Sequence, residues 1–257
     1  MLAGLVEQWF GDWQGKGEAG TPPDFGDPAA PEGAKASPVL SAPIGDLGIA
    51  TEPDLPRNLT YAVMRPWRKV DDTIVYNEGL LLDAVAQAII NRRLEARARA
   101  GGSFLYAAVR QEDISRSTDA TFVSLAPLTD DWQAALAEVR AVIADALASP
   151  PTQEEIDREA AEFDVVFANQ VEQRSVQAGS ELADNLVAAI DIRETVAAPE
   201  VVLGVFRGMK DRLDPAEVLE RTRSLFEGSV IRSVYVTPEL GEADEGRLKL
   251  ALSSEVE

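Results

Sequence analysis

The chain has 257 residues with 24 basic and 44 acidic side chains, a net charge of −20, and 46% apolar residues. That suffices for one large domain or two small ones with a sizeable core, and the acidic balance disfavours a nucleic-acid partner, which needs a concentrated positive surface. Cysteine and histidine are both absent, which excludes disulfides, thiolate nucleophiles, Ser-His-Asp triads, and zinc held by Cys or His.

Residues 2–13 predict a helix with Leu2, Leu5, Val6, Trp9, Phe10 and Trp13 on one stripe. No basic region follows Met1, and Glu7 and Asp12 interrupt the apolar positions, so this is not a secretory leader. A packing face this strong at the chain start is expected of a piece of a longer polypeptide, and the stripe is expected to pack either on the chain's own sheet or on a missing partner segment. No run approaches the ~18 consecutive apolar residues of a membrane span. A Gly/Pro/Ala-rich segment follows and reads as a linker up to about residue 38.

Residues 39–64 read as extended, with Leu59, Tyr61 and Val63 alternating against Asn58, Thr60 and Ala62. Asn58-Leu59-Thr60 matches a glycosylation sequon and reads as a chance match within a strand. Asp72 to Ala100 predicts a long helix buried through Leu81, Ala84, Val85, Ala88, Ile89 and Leu94. Its C-terminal part carries Arg92, Arg93, Arg97 and Arg99, which complement the negative end of the helix dipole. Gly101-Gly102 reads as a helix stop; an anion site there would face the wrong end of the dipole.

Two strands follow, "SFLYAAVR" and "DATFVSLAPL", joined by "QEDISRST", which reads as a polar connection in an antiparallel pair. From Asp130 a helix turns Trp132, Leu136, Val139, Ile143 and Leu147 inward and ends at Pro150-Pro151. Thr152 and Glu155 then form a capping box, and the helix they open buries Ile156, Ala160, Phe163, Phe167 and Val171. Its acidic residues Glu154, Glu155, Asp157, Glu159, Glu162 and Asp164 read as a solvated face matched to the dipole, since one convex surface does not converge enough oxygens on a hard cation. Two further helical segments are followed by an Asp214-Pro215 helix start, a β-branched strand "SVIRSVYV", and a charged tail with a short amphipathic piece.

Helices in blocks and strands in antiparallel neighbours define an α+β fold: an antiparallel-dominated sheet with helices packed on one face. No Gly-rich phosphate loop occurs. Ser175 beside Arg174, and Tyr106 near Arg110, have no base in reach, so no nucleophile is assigned.

The order of these segments resembles the pitrilysin/insulinase family of zinc metallopeptidases over about residues 2 to 238. "LVEQWFGDWQG" resembles a helix that follows the family's first subdomain. "LLLDAVAQAIINRRLEARARAGGSFLYAAV" resembles its helix with an Arg-Leu-Glu element and the strand after it. "PTQEEIDREAAEFDVVFANQ" resembles its "T-EE-R-K" helix, and "DRLDPAEVLERTRSLFEGSVIRSVYVTPE" its closing helix and strand.

Family domains have two similar halves, the first bearing the zinc motif HxxEH. With no histidine, this chain matches the second half, so no catalytic, cofactor-binding or metal residue is carried over. The family's later domain holds substrate with an Arg and a Tyr; Arg110 and Arg116 here lack a following Tyr, which favours the half-domain adjoining the active site.

The resemblance implies a lead-in helix and loop (1–38), a half-domain (39–238) and an inter-domain connector (239–257). It implies a metalloendopeptidase as the whole protein, with zinc there and none in this chain, and a bacterial, periplasmic or cytoplasmic location. The expected role is to complete a catalytic domain and wall a peptide chamber. An inactive scaffold or subunit of the same family, or an unrelated α+β binding module, are the alternatives. Expected partners are the rest of the polypeptide and a peptide or protein substrate, with self-association through an open sheet edge; no nucleic acid or membrane is expected.

Overall fold

The computed structural model describes residues 2–14, 25–40, 42–176, 178–192 and 196–256. Residues 15–24 of the Gly/Pro-rich linker lie outside them. Alternation builds the sheet from Ile44–Thr51 (β1), Asn58–Pro66 (β2), Phe104–Ile114 (β3), Thr118–Pro127 (β4) and Val230–Thr237 (β5), in the order β1-β5-β2-β4-β3. β1 runs parallel to β5, and the other three pairings are antiparallel. In register, Tyr61 lies opposite Val123 on one side and Ser233 on the other. Leu59, Tyr61, Val63, Val123, Leu125, Ile231 and Tyr235 are buried on the inner face, as a two-residue period requires of a half-covered sheet.

The helices are Leu2–Phe10 (α1), Ile74–Arg99 (α2), Trp132–Ala148 (α3), Gln153–Gln173 (α4), Gly179–Ile192 (α5), Pro199–Gly208 (α6), Pro215–Leu225 (α7) and Glu245–Ser253 (α8). Leu82, Val85, Ile89 and Leu94 of α2 share the core with Trp132, Leu136, Val139 and Ile143 of α3, Val218 of α7 and Leu248 of α8. A smaller aromatic cluster, Phe163, Phe167 and Phe206, joins α4 to α6. The tail thus contributes an element to the core, and Arg140 fixes it by donating to the carbonyls of Ala251 (2.7 Å) and Ser254 (2.6 Å).

Local signals act as read at several ends. Thr152 and Glu155 form the reciprocal capping box, and Asp214 caps α7 with Pro215 at its first position. Gly101 ends α2 in the left-handed region, φ 91°. Gly228 is required by close approach: a Cβ there would lie 2.7 Å from the Met64 carbonyl oxygen.

Three expectations are corrected. "QEDISRST" is strand on both sides of a tight turn, because Ser115 and Arg116 both take positive φ (52° and 54°) and let Ser117 N donate to Ile114 O. The cap of α3 is Asp131, whose side chain accepts from Ala134 N. β1 has its partner at the far end of the chain, in parallel. Of its two expected packing places, the stripe of α1 does not take the sheet: Trp9 and Trp13 stay 74% and 79% exposed, because α2, α3, α7 and α8 already contribute to the core on the inner face.

Candidate functional surface

Strand alternation that sends Leu59, Tyr61 and Val63 inward sends Asn58, Thr60, Ala62 and Met64 outward. Register aligns them with Ser124 and Phe122 of β4, Val234 of β5, and Tyr106, Ala108 and Arg110 of β3. The outer face is therefore small and polar at its centre. Asn58 Nδ2 donates to the Tyr106 hydroxyl at 2.8 Å, the Thr60 hydroxyl donates to Asn58 Oδ1 at 3.2 Å, and Thr60 Oγ1 lies 2.9 Å from Ser124 Oγ. The sequon amide nitrogen is thus engaged in this network. Arg110 lies 4.6 Å over the Phe122 ring and pairs with Glu112, while Arg232 lies 3.5 Å from Asp46.

Among these charged groups opposite signs are matched, although the whole chain carries −20. Hydroxyls, an amide and aromatic edges can hydrogen-bond an extended main chain and pack on its side chains. They hold no base beside a hydroxyl. Tyr106 and Arg110 share it; Arg116 lies at the β3–β4 turn, and Ser175 lies beyond the end of α4 beside Arg174, which pairs with Glu200. The outward polar residues Asn58, Thr60 and Ser124 were legible only as the polar half of an alternation.

The basic end of α2, with Arg97 and Arg99 in its last turn, also has partners in the neighbouring helices. Arg93 donates to both carboxylate oxygens of Glu155 (2.8 and 3.1 Å) and reaches Asp145, and Arg92 pairs with Glu159 and Glu162. Arg97 pairs with Glu138 on α3 and Arg99 with Glu95. The arginines therefore tie α2 to α3 and α4, and the acidic side of α4 is in part an interface: Glu159 is only 3% exposed. The donor to Glu155 from Arg93 holds its carboxyl well below the ordinary 4.5, at about 2.

A second buried pair lies between α2 and α7, where Arg221 Nε donates to Asp83 Oδ1 at 2.7 Å. Burial pushes the Asp83 carboxyl up against the pull of Arg221. After β5, Glu242 accepts from Arg57, Tyr235 and Thr237, which pins the chain leading to α8. His and Cys are absent from the sequence, and among the described residues no group of three acidic side chains is placed to hold a metal.

A mixed sheet closed on one face by these helices is the fold of insulinase/pitrilysin (M16) peptidase domains. The chain is similar to the first half of the periplasmic protease PqqL from Escherichia coli, at 15% identity and a TM-score of 0.77 over 98% of this chain and 52% of that one. It is similar to a predicted insulinase family protease from Yersinia pestis at 12% identity and 0.73, again over 98% of this chain and 52% of that one. A peptidase M16 inactive domain from Pseudomonas fluorescens matches at 15% and 0.54, over 77% of this chain and 44% of that one. The chain thus spans about half the length of these structures. No protein-family model and no curated protein matches the sequence.

Proposed function

We propose that this chain is the non-catalytic half of a zinc-dependent peptidase domain, and that its outer sheet face forms part of the wall of the peptide chamber. The observation that carries this reading is the uncovered face around Asn58, Thr60, Ser124 and Tyr106, polar and rich in hydrogen-bonding groups, in a fold shared with half-length proteases. An extended substrate offers main-chain donors and acceptors every ~3.3 Å, which such a face meets without needing a catalytic group. Zinc and its ligands belong, in this reading, to the complementary half of the same polypeptide.

The test is expression of the chain with and without the polypeptide encoded before it, reading zinc content and chelator-sensitive hydrolysis of an unstructured peptide. The pair is expected to bind zinc and cleave; the chain alone is expected to do neither. Cleavage by the pair that is untouched by Thr60→Arg and Ser124→Arg, in protein of unchanged stability, would remove the chamber-wall role. The likeness to an inactive M16 domain favours a second reading, an inactive scaffold. A folded pair with neither zinc nor cleavage would select it.

A further inference from the structure

An edge strand presents a row of unpaired peptide groups, a template for another strand. β3 is an edge of this sheet, yet part of its row is occupied. Asn91, on α2, donates from Nδ2 to the Val109 carbonyl at 3.0 Å and accepts at Oδ1 from Val109 N at 2.7 Å. One primary amide thereby makes both bonds that a residue of an adjoining strand would make. One turn back along α2, Gln87 Oε1 accepts from Gln111 N at 3.0 Å, while its Nε2 donates to Asp83 O at 3.3 Å.

The spacing explains why the two series coincide. Four residues advance a helix by ~6 Å, and two residues advance a strand by ~6.7 Å. Amide side chains at positions i and i+4 of α2 therefore meet alternate residues of β3, those whose peptide groups point away from β4. At position 91 Leu, Ala or a charged residue would leave a donor or acceptor of Val109 open, because only a primary amide offers both; at position 87 an acceptor for Gln111 N is what the strand uses.

We propose that Asn91 and Gln87 seal the β3 edge, standing in for a sixth strand over Val109–Gln111 and closing that stretch to strand addition by a second copy of this chain. This does not depend on the chamber-wall reading. Edge-to-edge association through this part of β3 is blocked, so any sheet-mediated association of the wild-type chain uses another part of β3 or the other edge.

Amide hydrogen exchange on the full 257-residue chain tests it. Val109 and Gln111 are expected to be protected like amides of the central strands, despite lying on an edge. In the Gln87→Ala/Asn91→Ala variant both should exchange at least about tenfold faster, the order of change expected for a lost hydrogen bond. Light scattering should then show association rising with concentration. Adding Gln111→Pro, which removes one of the two edge-facing donors and breaks a regular ladder, should abolish that association. Asn91→Asp, which keeps the acceptor for Val109 N, should leave Val109 protected, and it decides the matter if the double variant does not fold. Unprotected Val109 and Gln111 in the wild type, or a folded double variant with unchanged exchange and no association, overturns the proposal.

Discussion

Asp83 and Arg221 show how a buried charge is tolerated in this molecule. Asp83 is 5% exposed and survives there because Arg221 donates to it. Removing one partner of a buried pair leaves an uncompensated charge, which costs about 3–5 kcal/mol. Arg221→Ala should therefore lower the urea midpoint sharply, whereas a combined Asp83→Leu and Arg221→Met change should cost far less. Equal losses in the two proteins would show that the pair is not the cause.

Glu155 is the opposite case, a carboxylate whose folded form strongly prefers its charge. With Arg93 donating to it, its carboxyl sits at about 2 against the ordinary 4.5. A depressed acid contributes stability above its unfolded value and loses it as pH falls through the folded one. Glu155→Gln should cost roughly 1–3 kcal/mol at pH 7, allowing for partial exposure. The gap from wild type should narrow below about pH 4 and close near pH 2. Denaturant melts of both proteins across that range would contradict the assignment if the gap stayed constant.

At the scale of elements, α2 is the member on which the others are assembled. Its inner face meets the sheet and α3, its arginines hold α4, its Asp83 holds α7, and its amides cover β3. Val85 is fully buried at its middle, so Val85→Asp should unfold the domain, an unpaired buried charge being comparable to total stability. Loss of the cooperative thermal transition is the expected result; an unchanged midpoint would refute the burial.

What was legible in the sequence follows from the range of each interaction. The apolar face of α2, the Thr152 cap and the Asp214-Pro215 start depend on neighbours within a few residues, and pattern alone shows them. The Arg93–Glu155 and Arg92–Glu159 pairs join residues far apart in the chain. Read locally, both sets looked like dipole matching. Asn91 follows the apolar run Ala88-Ile89-Ile90 on α2, one turn after Gln87, and that pair of amides was the available hint of the sealed edge. The proposed outer-face surface was hidden for another reason: its members are ordinary strand residues, distinguished only by lying on the face the core helices do not share.

For the whole molecule, composition constrains metal chemistry more firmly than geometry does. Without His or Cys, stoichiometric zinc binding has only carboxylates to draw on, and several of these, Glu159, Glu155 and Asp83, are paired with arginines. Calorimetric titration of the chain should show no site tighter than about micromolar, well short of structural zinc sites. A sub-micromolar stoichiometric site would contradict this assignment of roles between the two halves.

The position of β5 has a consequence for how the protein comes into being. β5 lies between β1 and β2, so the strand made last separates and joins two made early. Until residue 230 has left the ribosome, β1 has no partner and β2 has one open side. The hairpin of β3 and β4, with β2 and α2 around it, can form from contacts near in sequence, while closure across Ile44 and Ile231 waits until β5 has been made. Such long-range pairing is slow relative to local structure. Nascent chains stalled before Ser229 should therefore be protease-sensitive and held by chaperones, and chains released after α8 should become resistant together. Full resistance in a chain ending at Gly228 would show that the sheet closes without its last strand.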